Sequence, residues 1–321
     1  MKQRLESLDI LRGLDLFILV FFQPVFMRLA QAQPEGNFLR LIQEQVFTHV
    51  EWEGHHLWDQ VMPLFLFMAG TSIPYAFARY KEERHFPKSA FYRVGKRVVL
   101  LWIFGAIVQG NLLDLNLDTL YLYTDTLQAI ACGYLFSVIL FMNLSAKGML
   151  VVTLLCPLIY TITMMTGEGY QPGTNMAEQI DRIILGRFVY GSYVMDNGEI
   201  VFADWYHNSW LLSSLNFIAT TMSGVLTGVI LKSQMTGKKK VQVLLFSGII
   251  CLLAAYGLSF AEPIVKRIWT SSMTFLSSGI SILLMLFRRM DLSAYTLSNI
   301  SFSSSLQSWT ICTISSLLAL S

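Results

Sequence analysis

Long apolar runs separated by short charged stretches make up most of this chain. Eight of them, at 10–30, 58–79, 97–113, 126–143, 149–165, 210–231, 241–259 and 269–287, run for about 18–22 residues, enough to cross a bilayer core of about 30 Å as helices. The pattern predicts an all-α, polytopic transmembrane helix bundle of eight spans, nine if the tail adds one. Small residues recur within the runs, as at Gly224, Thr227 and Gly228 or Ser277, Ser278 and Gly279, and suit close helix packing in lipid. Pro63 falls in a first turn, where a missing N–H is tolerated, whereas Pro74 predicts a kink. The longest polar segment, 166–209, carries a partly helical pattern in MAEQIDRIILGRFVYG.

Composition sharpens this picture. Hydrophobic residues are 54% of the 321 and charged residues 14%, far from a soluble balance. With the N-terminus on the cytoplasmic side, sixteen Lys and Arg fall on inner segments and six on outer ones, the positive-inside bias. That orientation puts His49, His55, His56 and His207 outside and His85 inside. An A-x-A pattern at 30–32 raises a signal peptide, but Arg12 and Asp15 interrupt the first run, so a retained first helix is expected. The net charge of +2 gives no ground for a nucleic-acid partner. Four cysteines without CxxC spacing read as small packing residues, and adjacent His55 and His56 point apart on a helix, so no metal site is expected.

The chemistry concentrates in residues 49–70, HVEWEGHHLWDQVMPLFLFMAG, where three histidines and three acids run straight into an apolar helix. Titratable groups at the mouth of a membrane helix are costly and mark sites. A neutral imidazole can take a proton from an attacking amine or attack a thioester itself, which makes His49 a candidate catalytic residue. Asp59 stands ten residues on and could orient that ring, or simply start the helix. His55 and His56 read as interface or substrate contacts. Gln23, Gln128, Asn216 and His207 are candidates for lining a polar passage. The basic stretch RYKEERHFPKSAFYRVGKR, with Arg93 and Lys96, serves topology or draws an anionic cytoplasmic ligand.

These residues carry a resemblance. The opening RLESLDILRG, the block HVEWEGHHLWDQVMPLFLFMAGTSI, and the later TLQAIACGYL, WLLSSLNFIATTMSGVLTG and KRIWTSSM are similar to the heparan-α-glucosaminide N-acetyltransferase family and its bacterial relatives, over roughly residues 4–291. The matched block has His49, Trp52, Gly54, Asp59, Pro63, Phe65, Phe67 and Gly70 in the family's pattern. The resemblance implies a transmembrane acyltransferase domain over 1–291 that moves an acetyl group from cytoplasmic acetyl-CoA to an amino sugar or glycan on the outer face. It implies His49 as the functional histidine and adds Trp52 to the substrate contacts. Arg12, Arg93 and Lys96 become candidate contacts for the donor's phosphates, although Arg12 reads first as fixing the inner helix end. The implied place is the cell membrane, the inner membrane in a Gram-negative cell, with lipid as partner and a homo-oligomer left open. The chain departs from the family at Gln23, where the animal member has Asn. It departs again at 292–321, a Ser-rich tail where the family has further spans, which reads as truncation or a shifted frame. The alternative function is a sugar or small-molecule transporter using the same polar passage without acyl chemistry.

Overall fold

The structure is a computed structural model that describes the backbone of residues 6–34 and 36–295, with the side chains of 10, 13–34 and 36–286. The side chain of Arg12 and the tail beyond 295 lie outside the described residues. Helices form over all eight apolar runs. The first is a rod of three pieces: α1 (Glu6–Phe17), a π-turn (Ile18–Phe22) and α2 (Gln23–Gln31). After the short α3 (Phe38–Ile42) come α4 (Val61–Glu82), α5 (Lys88–Val108), α6 (Thr126–Asn143) and α7 (Ala146–Met164). The polar segment folds into α8 (Met176–Leu185) and a two-stranded hairpin, β1 (Tyr193–Val194) with β2 (Ile200–Val201). Then follow α9 (Ser213–Lys232), α10 (Gly237–Ser259) and α11 (Ser271–Tyr295).

Among the described residues, six helical segments are long and apolar enough to cross a membrane: Gly13–Gln31, Leu57–Glu82, Thr126–Asn143, Ala146–Met164, Ser213–Lys232 and Gly237–Ser259. The bundle is that of a multi-pass membrane protein. The third run departs from expectation, because its helix starts at Lys88 rather than 97. Pro87 sets φ at the N-cap, and the lysines and arginines that follow are good helix formers on an exposed face, so charge alone does not break the helix.

Burial identifies the centre of the bundle. In α4 and α9, 67% and 72% of the apolar window is buried, against 11% for the first rod and 17% for α10. α4 packs against α9, α6, α11 and α1, and α9 also against α6 and α7. The seam depends on absent side chains. A Cβ on Gly70 would sit 1.9 Å from the Thr221 carbonyl oxygen, and one on Gly224 would sit 2.1 Å from that of Phe67. The two backbones therefore touch, as small residues permit in lipid.

At the end opposite His49, lysines terminate helices. Lys81 Nζ donates to the carbonyls of Phe141 (2.5 Å) and Leu144 (2.6 Å) at the end of α6, and Lys240 Nζ donates to Leu231 O (2.7 Å) at the end of α9. Cations on orphan C-terminal carbonyls are favourable for both hydrogen bonding and the helix dipole. At least these members of the basic end have a structural role.

Gly224→Val should cost about 1–3 kcal/mol or more, since neither backbone can retreat from the added methyl groups. Its thermal midpoint in detergent should fall by several degrees. Gly257→Ala, which meets nothing within 4 Å, should leave the midpoint unchanged or slightly raised.

Candidate functional site

The loop ahead of α4 is shaped by one carboxylate. Asp59 is 1% exposed in the 3-10 turn Leu57–Gln60 that leads into α4. Its Oδ2 accepts from the backbone N–H groups of Val50 (3.2 Å) and His56 (3.0 Å), so the loop wraps around it. Its Oδ1 lies 2.7 Å from His49 Nδ1 and 3.2 Å from Lys266 Nζ. Asp59 thus both starts a helix and orients an imidazole. His49 itself is half exposed, and Nδ1 is the ring nitrogen that is engaged.

Lys266 arrives from the turn before α11, which is anchored from several sides. Glu262 accepts from Ser271 N and from Thr161 Oγ1 (2.6 Å). The Ile268 carbonyl accepts from Tyr160 and Ser213 hydroxyls, each at 2.7 Å, and the Trp269 carbonyl from Asn216 Nδ2 at 2.6 Å. These bonds hold buried Trp269 at a φ of 51°, a costly conformation for a bulky residue. The turn is joined to the His49 loop by Gly54 N donating to Ile264 O (2.8 Å) and by a bridge between Glu53 and Val265.

Lys266 Nζ is also 2.9 Å from His49 Nδ1, which closes a triangle with Asp59. One ring nitrogen cannot serve both neighbours. If Nδ1–H donates to Asp59, the Nε2 lone pair is left free as a base. If instead Lys266 donates to Nδ1, Nε2 carries the proton. The contact to the carboxylate is the shorter, and Lys266 Nζ can donate to Asp59 Oδ1 instead, which favours the first arrangement. Burial pushes the Lys266 ammonium below its usual range, opposed by the neighbouring Asp59 charge.

His49, Asp59 and Lys266 stand on the wall of a cavity of about 880 Å³. Trp52 and Arg267 share that wall, and Tyr190, Trp205, Tyr206 and Trp210 give it an aromatic side. The other expected residues are distributed unevenly. Trp52 donates its indole N–H to Tyr170 O (3.1 Å) and stands edge-on to His207. His207 lies behind it, its Nδ1 3.2 Å from Glu178 Oε2. His56 has Nδ1 3.1 Å from Thr48 O, while His55 Nε2 is buried without a hydrogen bond and burial pushes that imidazole down. Gln128 is buried in its own helix start. Its Oε1 accepts from Thr124 N and Asp125 N, and its Nε2 donates to Leu122 O. Half-buried Gln23 opens α2 and is not on the cavity wall.

Arg93 and Lys96 stand near the opposite end of the bundle. From Arg93 to the end of α5 at Val108 is about 22 Å of helix. Arg93 there donates to Tyr80 OH (3.0 Å) and Ser89 O (3.3 Å). The structure does not bring these two to His49. It does bring Lys266 and Arg267, which sequence reasoning counted only as outer charges. The signal that could have found them is that they are adjacent basic residues against the charge bias, inside the KRIWTSSM stretch.

Among the described residues no group of three or more His, Cys, Asp or Glu side chains is placed to hold a metal. No protein-family model matches this chain, and no curated protein matches it.

The aromatic side of the cavity hangs on another buried carboxylate. Asp181 of α8 accepts from Trp210 N (2.6 Å) and Leu211 N (3.0 Å), and burial pushes its carboxyl up to about 7 despite those bonds. The folded protein therefore retains a proton there that the unfolded chain releases above its ordinary value of 3.8. Since the folded state binds more protons in this window, stability falls as pH rises from about 4 to about 7. Asp181→Asn should flatten that slope, read as thermal midpoints measured across the window, with any general loss of stability appearing as a constant offset.

Proposed function

We propose that this chain is a membrane acyltransferase that moves an acetyl group from acetyl-CoA to the amine of an amino sugar or glycan at the His49 end of the bundle. The observation that carries the reading is the 2.7 Å contact between His49 Nδ1 and buried Asp59 at the wall of a large cavity. The family resemblance supplies the reaction class. As the amine nitrogen attacks the thioester carbonyl, His49 Nε2 takes its proton, the C–N bond forms, and the C–S bond then breaks to release CoA. Asp59 holds the ring and favours the imidazolium that forms. Lys266 would place positive charge near the carbonyl oxygen as it gains negative charge. In a relay, Nε2 would instead attack the thioester and carry the acetyl group to the amine.

The proposed arrangement is eight spans in the cell membrane, or the inner membrane of a Gram-negative cell, with a cytoplasmic N-terminus and His49 on the outer face. The basis is the charge bias along the sequence. The donor's phosphates are drawn first to the basic end at Arg93 and Lys96. Lys81 is left out of that set because it terminates α6. The transporter alternative draws on free polar groups along the bundle. Gln128 is hydrogen-bonded within its own helix start, and the hydroxyls of Thr71, Thr220 and Thr221 donate to carbonyls of their own helices, whereas Gln60 Oε1, Ser137 Oγ and Asn216 Oδ1 are buried without a hydrogen-bond partner among the described residues. The acyl-transfer reading is preferred on the His49–Asp59 contact, not on these groups.

Purified protein incubated with labelled acetyl-CoA and a panel of amino sugars should yield acetylated product detectable by mass. His49→Ala should lower the rate by about 10²–10⁴ while the protein still folds, with a lower melting midpoint because buried Asp59 loses one partner, and Asp59→Asn should lower the rate less. The exposed His85, at the other end, serves as the control, since His85→Ala should match the parent. A His49→Ala protein that acetylates normally would remove the site from consideration. Acetyl found on His49 after acid quench would select the relay. Separately, Arg93→Gln with Lys96→Gln should weaken donor binding and flatten its salt dependence, whereas an unchanged salt slope would mean that the donor enters elsewhere.

A further inference from the structure

The cavity beside His49 changes character along its length. At the loop end the wall carries His49, Lys266 and Arg267. The other end runs between α1 and α6, where Leu16, Leu19, Phe65 and Ile130 line it. Both α1 and α6 pack on α4, so Phe65 of α4 forms a floor between them. The α1 side stays open, with Leu16 50% and Leu19 36% exposed. Each of these walls belongs to a helix long and apolar enough to cross a membrane, so the open side faces lipid. The α1 wall is also where the rod takes its π-turn at Ile18–Phe22, a local widening of a kind often found at functional sites.

Charge narrows the choice of occupant. Lys266 is matched by Asp59 at 3.2 Å. Arg267 has no acidic partner among the described residues; its backbone carbonyl accepts from Ser209 N, and the residue is part of the cavity lining. The polar end thus holds one unmatched cation. A free amino sugar would leave the apolar end unfilled, and a purely apolar molecule would leave Arg267 unmatched.

Resting on the acyl-transfer reading, we infer that the acceptor is an anionic amphiphile of the bilayer. It is an amino sugar joined through a phosphate to an apolar chain, with the sugar at His49, the phosphate at Arg267 and the chain between α1 and α6. Entry is sideways from lipid, which fits a cavity whose walls change from polar to apolar as they enter the membrane-crossing helices.

The test is equilibrium binding to the full chain in one detergent, without donor. The probes are glucosamine 1-phosphate, decyl glucosaminide, decyl phosphate and decyl phosphoglucosamine. The last should bind at least about 10-fold tighter than each of the others: a few buried methylenes are worth that much against glucosamine 1-phosphate, a charge-assisted phosphate contact against decyl glucosaminide, and the sugar's hydrogen bonds against decyl phosphate. Leu19→Trp should remove the chain's contribution and leave glucosamine 1-phosphate binding unchanged. Arg267→Gln should remove the phosphate's contribution and leave decyl glucosaminide unchanged. Equal binding of all four probes overturns the inference. So does decyl phosphate binding as tightly as decyl phosphoglucosamine, which would make the occupant a bare anionic lipid. If the amphiphile pattern holds but no acetyl moves, the transferase reading fails while the binding site stands. If a soluble amino sugar is acetylated as fast as its decyl phosphate ester, transfer stands and the lipid acceptor is lost.

Discussion

A carboxylate taken out of water at the mouth of an apolar helix is the constraint on which the working end of this protein depends. An ionised group at 1% exposure is strongly unfavourable unless every lone pair is answered. Asp59 meets that requirement with two backbone N–H groups from its own loop, an imidazole and a lysine. Two pieces of chain bring these partners, the loop at 49–56 and the turn before α11. The loop must close around the oxygen, the His49 ring must turn its Nδ1 inward, and the turn carrying Lys266 must dock from 217 residues away. The geometry that turns His49 Nδ1 toward Asp59 therefore follows from neutralising a buried charge.

That docking in turn depends on the packing of the bundle. The turn before α11 is held by side chains of α7 and α9, and α9 is held against α4 through the Gly70 and Gly224 contacts. α4 begins at Asp59's own turn. The seam thus fixes both halves of the triangle relative to one another. On its other side α4 packs only loosely with α1, and the cavity lies there. Close contact at one face and a gap at the other both follow from where the small residues fall.

The sequence carried the helices because apolar length in a bilayer admits little else. It carried His49 with Asp59 because ten residues of local chain sufficed to bring them together. The start of α5 was missed by reading charge as loop, although Pro87 marked it. Gln128 was read as a candidate for lining a polar passage, whereas Asp125 and Gln128 at i and i+3 form a capping box, a pattern legible in the spacing of those two residues alone. Lys266 could not be reached by spacing, since its meaning depends on a contact 217 residues long. The aromatic side of the cavity was equally hidden, because Tyr190, Trp205 and Trp210 come together only once α8 and the hairpin have folded.

The two ends of the bundle use cations differently, and the difference bears on function. At the basic end Lys81 and Lys240 lie on the carbonyls that helices leave unpaired, so their charge is answered by the fold. At the His49 end Lys266 answers Asp59, which leaves Arg267 as a guanidinium on a cavity wall with no acid facing it among the described residues. A cation in a partly apolar enclosure retains a strong pull on anions, because little water is there to screen it. Packing and topology account for the first group of charges but not for Arg267. Its position is one that the proposed amphiphile would account for, with the phosphate at Arg267 and the chain along the apolar walls beyond it.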